Sequence, residues 1–320
     1  MSRRPRRLPP LPDRDGLGAA RVRMPRVGPW STVVEFLIER TGDAEGVEQR
    51  LRDGEIRLGD GTVVTGSTAY RPGGMVYLYR DLPDEVPVPF GIEVLHHDEH
   101  LLVVDKPPFL ATMPRGSHVA QTALVRLRRE LNLPELAPAH RLDRLTAGVL
   151  VLTTRREVRR PYQELFARGE VTKMYVALAP AREDLALAVD VRDRLVKPRG
   201  SLQTVREPGE PNAHTHVELV ERCGEPIVRQ GKQGLYRLTP TTGRTHQLRV
   251  HLAGLGIPIE GDPLYPVVQD LALDGFTTPL QLLAQHLAFV DPFTDEQRTF
   301  TSRRRLPLTG TAAPDAPTAR

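Results

Sequence analysis

The sequence predicts an α+β protein: a mixed, mainly antiparallel and curved sheet in a large C-terminal domain, preceded by a small N-terminal α/β module. Three observations carry that reading. Stretches with strand character outnumber those with a helical period. The helical stretches are short, and several open or close on a capping signal. Three prolines fall between residues 83 and 89, a composition that marks a linker between domains.

Taken in order, residues 1–29 are rich in Arg, Pro and Gly without an apolar period, and read as a loose basic arm. Residues 30–82 form the small module. Thr32-Val33-Val34-Glu35 is a capping box that opens a helix running through Arg40. A second helical stretch over residues 46–52 closes at Gly54. Residues 55–58 and 62–64 read as a hairpin around Gly59-Asp60-Gly61, and residues 75–79 as a further strand. After the linker (83–91), the large domain covers residues 92–305. It begins with a strand at 101–105. A helix at 122–131 follows, with Leu124, Leu127 and Leu131 on one face and Arg126, Arg128 and Arg129 elsewhere. Residues 148–153 are a fully apolar strand. The helix at 155–168 is interrupted or restarted at Pro161. Strands are predicted at 173–178, 214–221, 234–239 and 282–290, and Thr245 is predicted to cap a short helix ending at Ala253. The Pro/Ala/Thr-rich tail, 306–320, reads as disordered.

Composition narrows the function classes. Apolar residues make up 39% of the chain, and no apolar run approaches the roughly 20 residues that span a bilayer. The arginine-rich start lacks the apolar segment of a secretory signal. A single cysteine, Cys223, permits no internal disulfide and no thiolate metal cluster, and suits a reducing, cytoplasmic setting. The net charge of +4 comes from the ends: residues 1–29 hold eight arginines against two aspartates, and residues 301–320 four against one. The body is therefore mildly acidic, and basicity has meaning only where it clusters. Residues 122–175 are such a cluster, with eleven Arg or Lys against six Asp or Glu.

The most informative stretch is His140-Arg141-Leu142-Asp143-Arg144-Leu145-Thr146-Ala147-Gly148, running into an apolar strand. A carboxylate set among arginines, a histidine and buried apolar residues is costly without a partner, which points to chemistry. A second block is Lys173-Met174-Tyr175-Val176-Ala177, where strand alternation puts Lys173, Tyr175 and Ala177 on one face. A third is Gly243-Arg244-Thr245-His246-Gln247-Leu248-Arg249-Val250-His251-Leu252, followed by Gly256-Ile257-Pro258-Ile259 and Gly261-Asp262. There Leu248, Leu252 and Leu255 pack inward and Arg249 lies on a different flank. A looser fourth is Val103-Val104-Asp105-Lys106-Pro107-Pro108, read as scaffold. His246, His251, Asp262 and His286 fit no standard metal spacing and read as satisfied core residues.

In this order the blocks resemble the RluA-type family of pseudouridine synthases, whose signatures run H-R-L-D-x-x-T-S-G, K-x-Y-x-A and G-R-T-H-Q-[IL]-R-V-H-L. The sequence departs at Ala147, where the family usually has Ser, and at Phe109, where Gly is common, so the loop there is expected to be shaped differently. The resemblance covers about residues 92–300. It implies isomerisation of uridine to pseudouridine in RNA, with no cofactor or metal. Asp143 would be the nucleophile or base, Tyr175 would stack on the uracil and share in proton transfer, and Arg249 would hold Asp143 as the anion that a buried arginine needs. Arg141 would enter the space left by a flipped-out uridine. Arg144, Arg126, Arg128 and Arg129 would contact phosphates, and Lys173 and Arg244 complete the substrate-binding set. The expected substrate is a stem-loop of ribosomal or transfer RNA, the protein is expected to be monomeric, and residues 30–82 resemble the alpha-L type RNA-binding module. A non-catalytic RNA-binding or ribosome-assembly protein on the same scaffold would have lost Asp143, Tyr175 or Arg249, and all three are present. A phosphotransferase would need a glycine-rich phosphate loop and a D-F-G triplet, and the chain has neither.

Overall fold

The computed structural model describes residues 10–79, 82, 84–223, 232–269 and 275–307. The chain divides into two units, residues up to 84 and residues from 85 onward. No helix among the described residues is long and apolar enough to cross a membrane.

The first unit comprises β1 (Ala20–Arg23), α1 (Val33–Thr41), α2 (Ala44–Arg52), β2 (Ile56–Leu58) and β3 (Met75–Leu78). The strands form an antiparallel sheet in the order β1-β3-β2. α1 opens as its sequence predicts. The Thr32 hydroxyl accepts the Glu35 N–H at 3.2 Å, and the Glu35 carboxylate accepts the N–H groups of Ser31 and Thr32. Phe36 and Leu37 of α1 then pack with Val47, Ile56, Leu58 and Val76.

One expectation is corrected here. Residues 20–23 are not a loose arm but strand β1, and Met24 beside it is buried. Ala20 and Val22 face the core while Arg21 and Arg23 face out, so the period of two is present beneath an arginine-rich composition. Residues 1–9 of the arm lie outside the described residues. Residues 55–58 and 62–64 do close as the expected antiparallel hairpin: the Leu58 N–H reaches the Thr62 carbonyl at 2.8 Å, the Val64 N–H reaches the Ile56 carbonyl at 2.9 Å, and Arg57 bridges Val63.

The second unit runs β4 (Glu93–His97), β5 (Leu101–Lys106), α3 (Ala123–Glu130), β6 (Ala137–Pro138), β7 (Ala147–Thr153), α4 (Arg159–Arg168), β8 (Thr172–Pro180), β9 (Ala188–Val196), β10 (Val205–Glu207), β11 (Ala213–Cys223), β12 (Gln233–Pro240), α5 (Gln247–Gly254), β13 (Leu282–Val290) and β14 (Gln297–Thr301). These strands form one sheet in the order β10-β9-β11-β12-β8-β13-β7-β5-β4, with β14 on β13 and β6 on β7. Among the described residues, β13 with β7 is the one parallel pair, so the sheet is mixed and mainly antiparallel, as the sequence predicts.

The centre of the sheet is buried on both faces, which is why residues 101–104 of β5 and 147–152 of β7 read as unbroken apolar runs. Leu102, Val104, Leu150 and Leu152 face a core shared with Leu124 and Leu127 of α3 and Leu248 and Leu252 of α5. The alternating partners Leu101, Val103, Val149 and Val151 face a second core with Tyr162 of α4. Pro161 lies in the first turn of α4, where a missing N–H costs nothing. Leu131 sits at the end of α3 and is 37% exposed rather than inward. Thr245 does not cap α5. His246 takes that place in a left-handed conformation, φ 56°, with no side-chain cap. Leu306 packs beside Val176 and Leu283, while residues 308–320 of the expected tail and the Cys223 side chain fall outside the described residues.

In the loop after β5 the unusual residue is Phe109. That residue adopts φ 65°, the left-handed turn a glycine would supply. Its ring is 4% exposed, stacked 5.9 Å from Phe90 and edge-on to Phe276 at 5.6 Å. Replacing Phe109 with Gly relieves about 1–2 kcal/mol of backbone cost but forfeits about 3 kcal/mol or more of buried ring. Denaturant unfolding of Phe109→Gly should therefore show a net loss of about 2 kcal/mol, and an unchanged midpoint would show that the aromatic cluster does not hold this turn.

Candidate active site

Asp143 sits on a tight turn between β6 and β7, closed by the Thr146 N–H on the Asp143 carbonyl at 3.1 Å. The turn is pinned on both sides. The Thr112 hydroxyl donates to the Leu142 carbonyl at 2.7 Å and accepts the Leu142 N–H at 3.1 Å. Lys106, fully buried, donates its ammonium to the carbonyls of Leu110 (2.7 Å), Pro107 (2.8 Å) and Arg144 (3.3 Å). Burial, and then the guanidinium of Arg304, push the Lys106 pKa well down. Beneath it the buried Asp105 carboxylate accepts the Ser302 hydroxyl at 2.9 Å and the Arg303 N–H at 2.7 Å, with the Arg304 Nε at 3.3 Å. The Asp105-Lys106 motif is thus a platform joining β5, the Asp143 turn and the end of the last strand.

One residue of β13 brings the pieces together. Ala284 pairs with Gly148 of β7 on one side and with Tyr175 of β8 on the other. Gly148 has φ 112°, and a Cβ there would lie 2.2 Å from the Ala284 carbonyl oxygen, so the last residue of the His140–Gly148 block has to be glycine. Tyr175 is half-buried. Burial first, then the charge of Asp143, raise its phenol pKa, which keeps the hydroxyl protonated and places it within the field of the carboxylate.

Arg249 is 3% exposed, and its first anion is not the one expected. Its Nε and Nη2 fork onto the Asp262 carboxylate at 2.7 and 2.5 Å. Only the remaining nitrogen, Nη1, faces Asp143, 3.9 Å from Oδ2. A bidentate pair is the strongest use of a guanidinium, so Asp262 anchors Arg249 and Arg249 in turn presents one N–H toward Asp143. The guanidinium also lies 5.2 Å over the ring of Tyr265. His246 Nε2 is 3.9 Å from the same Oδ2 of Asp143, and burial, partly opposed by the Asp143 charge, lowers the His246 pKa to about 4. His251 lies apart, its Nδ1 on the Thr215 hydroxyl at 2.9 Å, and His286 meets Thr301 at 3.2 Å.

The other candidate residues separate clearly. Arg141 is exposed beside Asp143, and Arg144 is half-buried, its pKa lowered by burial and by Arg249. Lys173 donates to the Thr242 carbonyl at 3.2 Å, and its charge bears on His140. Arg244 is exposed, with Nε on the Asn212 carbonyl at 3.0 Å. Arg126 and Arg128 are not free for phosphates in the way their helix positions suggest. Arg126 donates to the carbonyls of Val88 and Phe90, and Arg128 to that of Leu136, so both tie neighbouring loops to α3. Arg129 is exposed. Sequence reasoning passed over Thr112, Tyr265 and Lys197. Lys197, just after β9, is electrostatically within reach of Asp143, Arg115 and Arg249, and its only signal was a Lys-Pro-Arg-Gly loop of ordinary composition.

His140 carries a pH prediction. Its Nε2 accepts the Val151 N–H at 3.1 Å, and its ring stacks 4.4 Å from Phe166. Burial, then the Lys173 charge, lower its pKa from 6.5 to about 3. A histidine depressed in this way binds its proton only in the unfolded chain between those values, so it stabilises the fold above pH 6.5 and that contribution fades as pH falls toward 3. Stability should drop by roughly 1 kcal/mol for this residue per pH unit below 6.5, with His246 and His251, each lowered to about 4, adding to the slope. Unfolding midpoints between pH 7.5 and 5 check this. His140→Gln, whose amide oxygen can still accept from Val151, should show a shallower fall, and an identical slope would refute the assignment.

Comparison with known proteins identifies the family. The family described as RNA pseudouridylate synthase matches residues 100–254, a span holding Asp143, Tyr175 and Arg249. The chain is 34% identical over 214 residues to the dual-specificity RNA pseudouridine synthase RluA of Salmonella typhi, covering 65% of this chain and 90% of that protein. It is 32% identical over 230 residues to the mitochondrial tRNA pseudouridine(32) synthase of Saccharomyces cerevisiae, covering 71% of this chain and 48% of the yeast protein. Thus it spans about half the length of that relative. Among solved structures, human RNA pseudouridylate synthase domain containing 4 aligns with a TM-score of 0.50 at 27% identity, over 67% of this chain and 89% of that one. Human RNA pseudouridylate synthase domain containing 1 shares the fold, with a TM-score of 0.54 at 22% identity, over 69% of this chain and 86% of that one. A two-sided sheet that sets a carboxylate, a tyrosine and a buried arginine around one turn, and a match that extends over 90% of the Salmonella typhi enzyme, lead to one conclusion: the chain belongs to the RluA-type family of RNA pseudouridine synthases, isomerases that act on RNA.

Proposed function

We propose that Asp143 is the carboxylate that acts on a flipped-out uridine, that Tyr175 stacks on its uracil, and that Arg249 orients Asp143. The observation that carries this reading is the position of Asp143. Its side chain is 28% exposed, while the arginine behind it is 3% exposed, so the carboxylate opens to substrate from a charged wall that solvent does not screen. In the reaction the bond from uracil N1 to ribose C1′ breaks, a bond from C5 to C1′ forms, C5 loses its hydrogen, and N1 gains one. Asp143 serves at C1′ or at the proton beside it. The half-buried Tyr175 supplies a flat face and a protonated hydroxyl next to the base.

Arg141 lies at the exposed edge of the turn, where an inserted guanidinium would take the place of the extruded base. Arg144, Lys173 and Arg244 supply positive charge around the same opening. The substrate we favour is a stem-loop of transfer or ribosomal RNA, whose unstacked bases can be splayed out. One relative is named for position 32 of tRNA and another for dual specificity, which supports that choice. The helix-rich module at residues 30–82 would add RNA contacts of its own, and we place the enzyme in the cytoplasm as a monomer.

The test is tritium release from RNA labelled at C5 of uridine, offered separately as ribosomal and transfer RNA. Release from at least one of them is the expected result. RNA binding without release from either would favour a non-catalytic RNA-binding protein built on this scaffold.

A further inference from the structure

His246 is the residue of the Gly243–Leu252 block to which the mechanism gives no work, and its surroundings are unusually specific. It is held left-handed, φ 56°, at the start of α5. Its two ring nitrogens have different partners: Nε2 is 3.9 Å from Asp143 Oδ2, and Nδ1 is 2.9 Å from the Tyr265 hydroxyl. The rings of His246 and Tyr265 meet edge to face, with centroids 5.7 Å apart. Tyr265 is buried, and its hydroxyl oxygen accepts the Thr204 N–H at 2.6 Å. That hydroxyl has one proton and two acceptors in reach, His246 Nδ1 at 2.9 Å and the Thr204 carbonyl at 3.2 Å.

The two ways of placing that proton differ in what they present to Asp143. If the phenol donates to Nδ1, neutral His246 carries its own hydrogen on Nε2 and points it at the carboxylate. If the phenol donates to Thr204 instead, Nδ1 must donate to the phenol, and a bare Nε2 lone pair faces a carboxylate oxygen. The first arrangement uses the shorter contact and sets a donor against an acceptor; the second sets two acceptors against each other.

We propose that His246 is a positioning residue for Asp143, fixed by Tyr265 in the tautomer that presents an Nε2–H donor to Oδ2. The inference rests on the reading of Asp143 as the reacting carboxylate. Arg249 Nη1 approaches the same oxygen, also at 3.9 Å, so both donors gather on Oδ2 and leave Oδ1 to meet the ribose. Each contact is longer than a hydrogen bond, as donors around a catalytic group often are before substrate closes the site. Thr204 lies just before β10, so through Tyr265 the loop between β9 and β10 is tied to the orientation of Asp143.

The experiment is steady-state tritium release by wild type, His246→Leu, His246→Gln, Tyr265→Phe and Asp143→Asn, with folding followed by thermal unfolding. His246→Leu is expected to lower kcat about ten- to a hundredfold with KM for RNA nearly unchanged. His246→Gln, whose amide N–H can stand where Nε2–H does, is expected to recover most of that loss. Tyr265→Phe keeps the ring against Arg249 and should fall between them. In ¹⁵N-histidine spectra of the wild type, His246 should carry its hydrogen on Nε2. A wild-type kcat in His246→Leu, a Gln variant as impaired as the Leu variant, a loss confined to KM, or a hydrogen on Nδ1 overturns the proposal. If His246→Leu does not fold, wild-type kcat in Tyr265→Phe is enough to overturn it. Activity retained in Asp143→Asn fells the reading of Asp143 and this proposal with it, whereas an inactive Asp143→Asn beside a fully active His246→Leu fells this proposal alone.

Discussion

An Asp143→Asn variant is expected to lose isomerisation by about a thousandfold or more while it binds RNA as tightly as the parent and remains folded. The substitution keeps the shape of the side chain and removes only its charge and nucleophilicity. The turn survives, because the bonds that shape it run through backbone groups of residues 142, 143 and 144. Arg249 survives too. Taking one partner from a buried ion pair normally strands the other charge at a cost of about 3–5 kcal/mol, but here the guanidinium stays forked on Asp262 at 2.7 and 2.5 Å. The variant therefore separates chemistry from folding. Tritium release read beside a filter-binding isotherm gives both quantities, and turnover near the parental rate would remove Asp143 from the mechanism.

The second large effect is structural. Gly148→Ala is expected to destabilise the large unit by roughly 3–5 kcal/mol, from about 1–3 kcal/mol of backbone strain and a similar cost of overpacking. The residue holds φ 112°, and the new Cβ would lie 2.2 Å from the Ala284 carbonyl oxygen. The obstacle is backbone, so no rotamer change relieves it. Relief requires β13 to move away from β7, and the same Ala284 sets the register of Tyr175. Stability and activity should consequently fall together. Denaturant unfolding within about 1 kcal/mol of the parent would mean that the parallel pair tolerates a wider spacing than this geometry allows.

Much of this was legible beforehand because it depends on local chemistry. The capping box of α1 is written in four consecutive residues, and residues 101–104 of β5 and 147–152 of β7 are unbroken apolar runs because both their faces are covered. What escaped was either masked or non-local. β1 hid because its outward positions are arginines in an arginine-rich stretch. β9 hid because charged residues alternate along Ala188–Val196, where side chains at every second position reach solvent. At the site, the three blocks named Asp143, Tyr175 and Arg249, but strings do not state distances. Asp262 stood in the Gly261-Asp262 pair, and only the return of the chain after α5 puts it, ahead of Asp143, on the guanidinium. The Asp105-Lys106 pair was visible as well; that its ammonium holds the carbonyl next to Asp143 follows from a contact 38 residues apart.

The clip around Asp105 also has a consequence in time. Its hydroxyl partner, Ser302, is added to the growing chain 197 residues later, an interval of about 10–40 seconds at ordinary rates of synthesis. Until then the nascent chain lacks the hydroxyl and N–H donors that offset the burial of this carboxylate in the folded protein. The Asp143 turn is thus expected to gain its full support only once residues 302–304 have been made, and a chain terminated before them is expected to lack it.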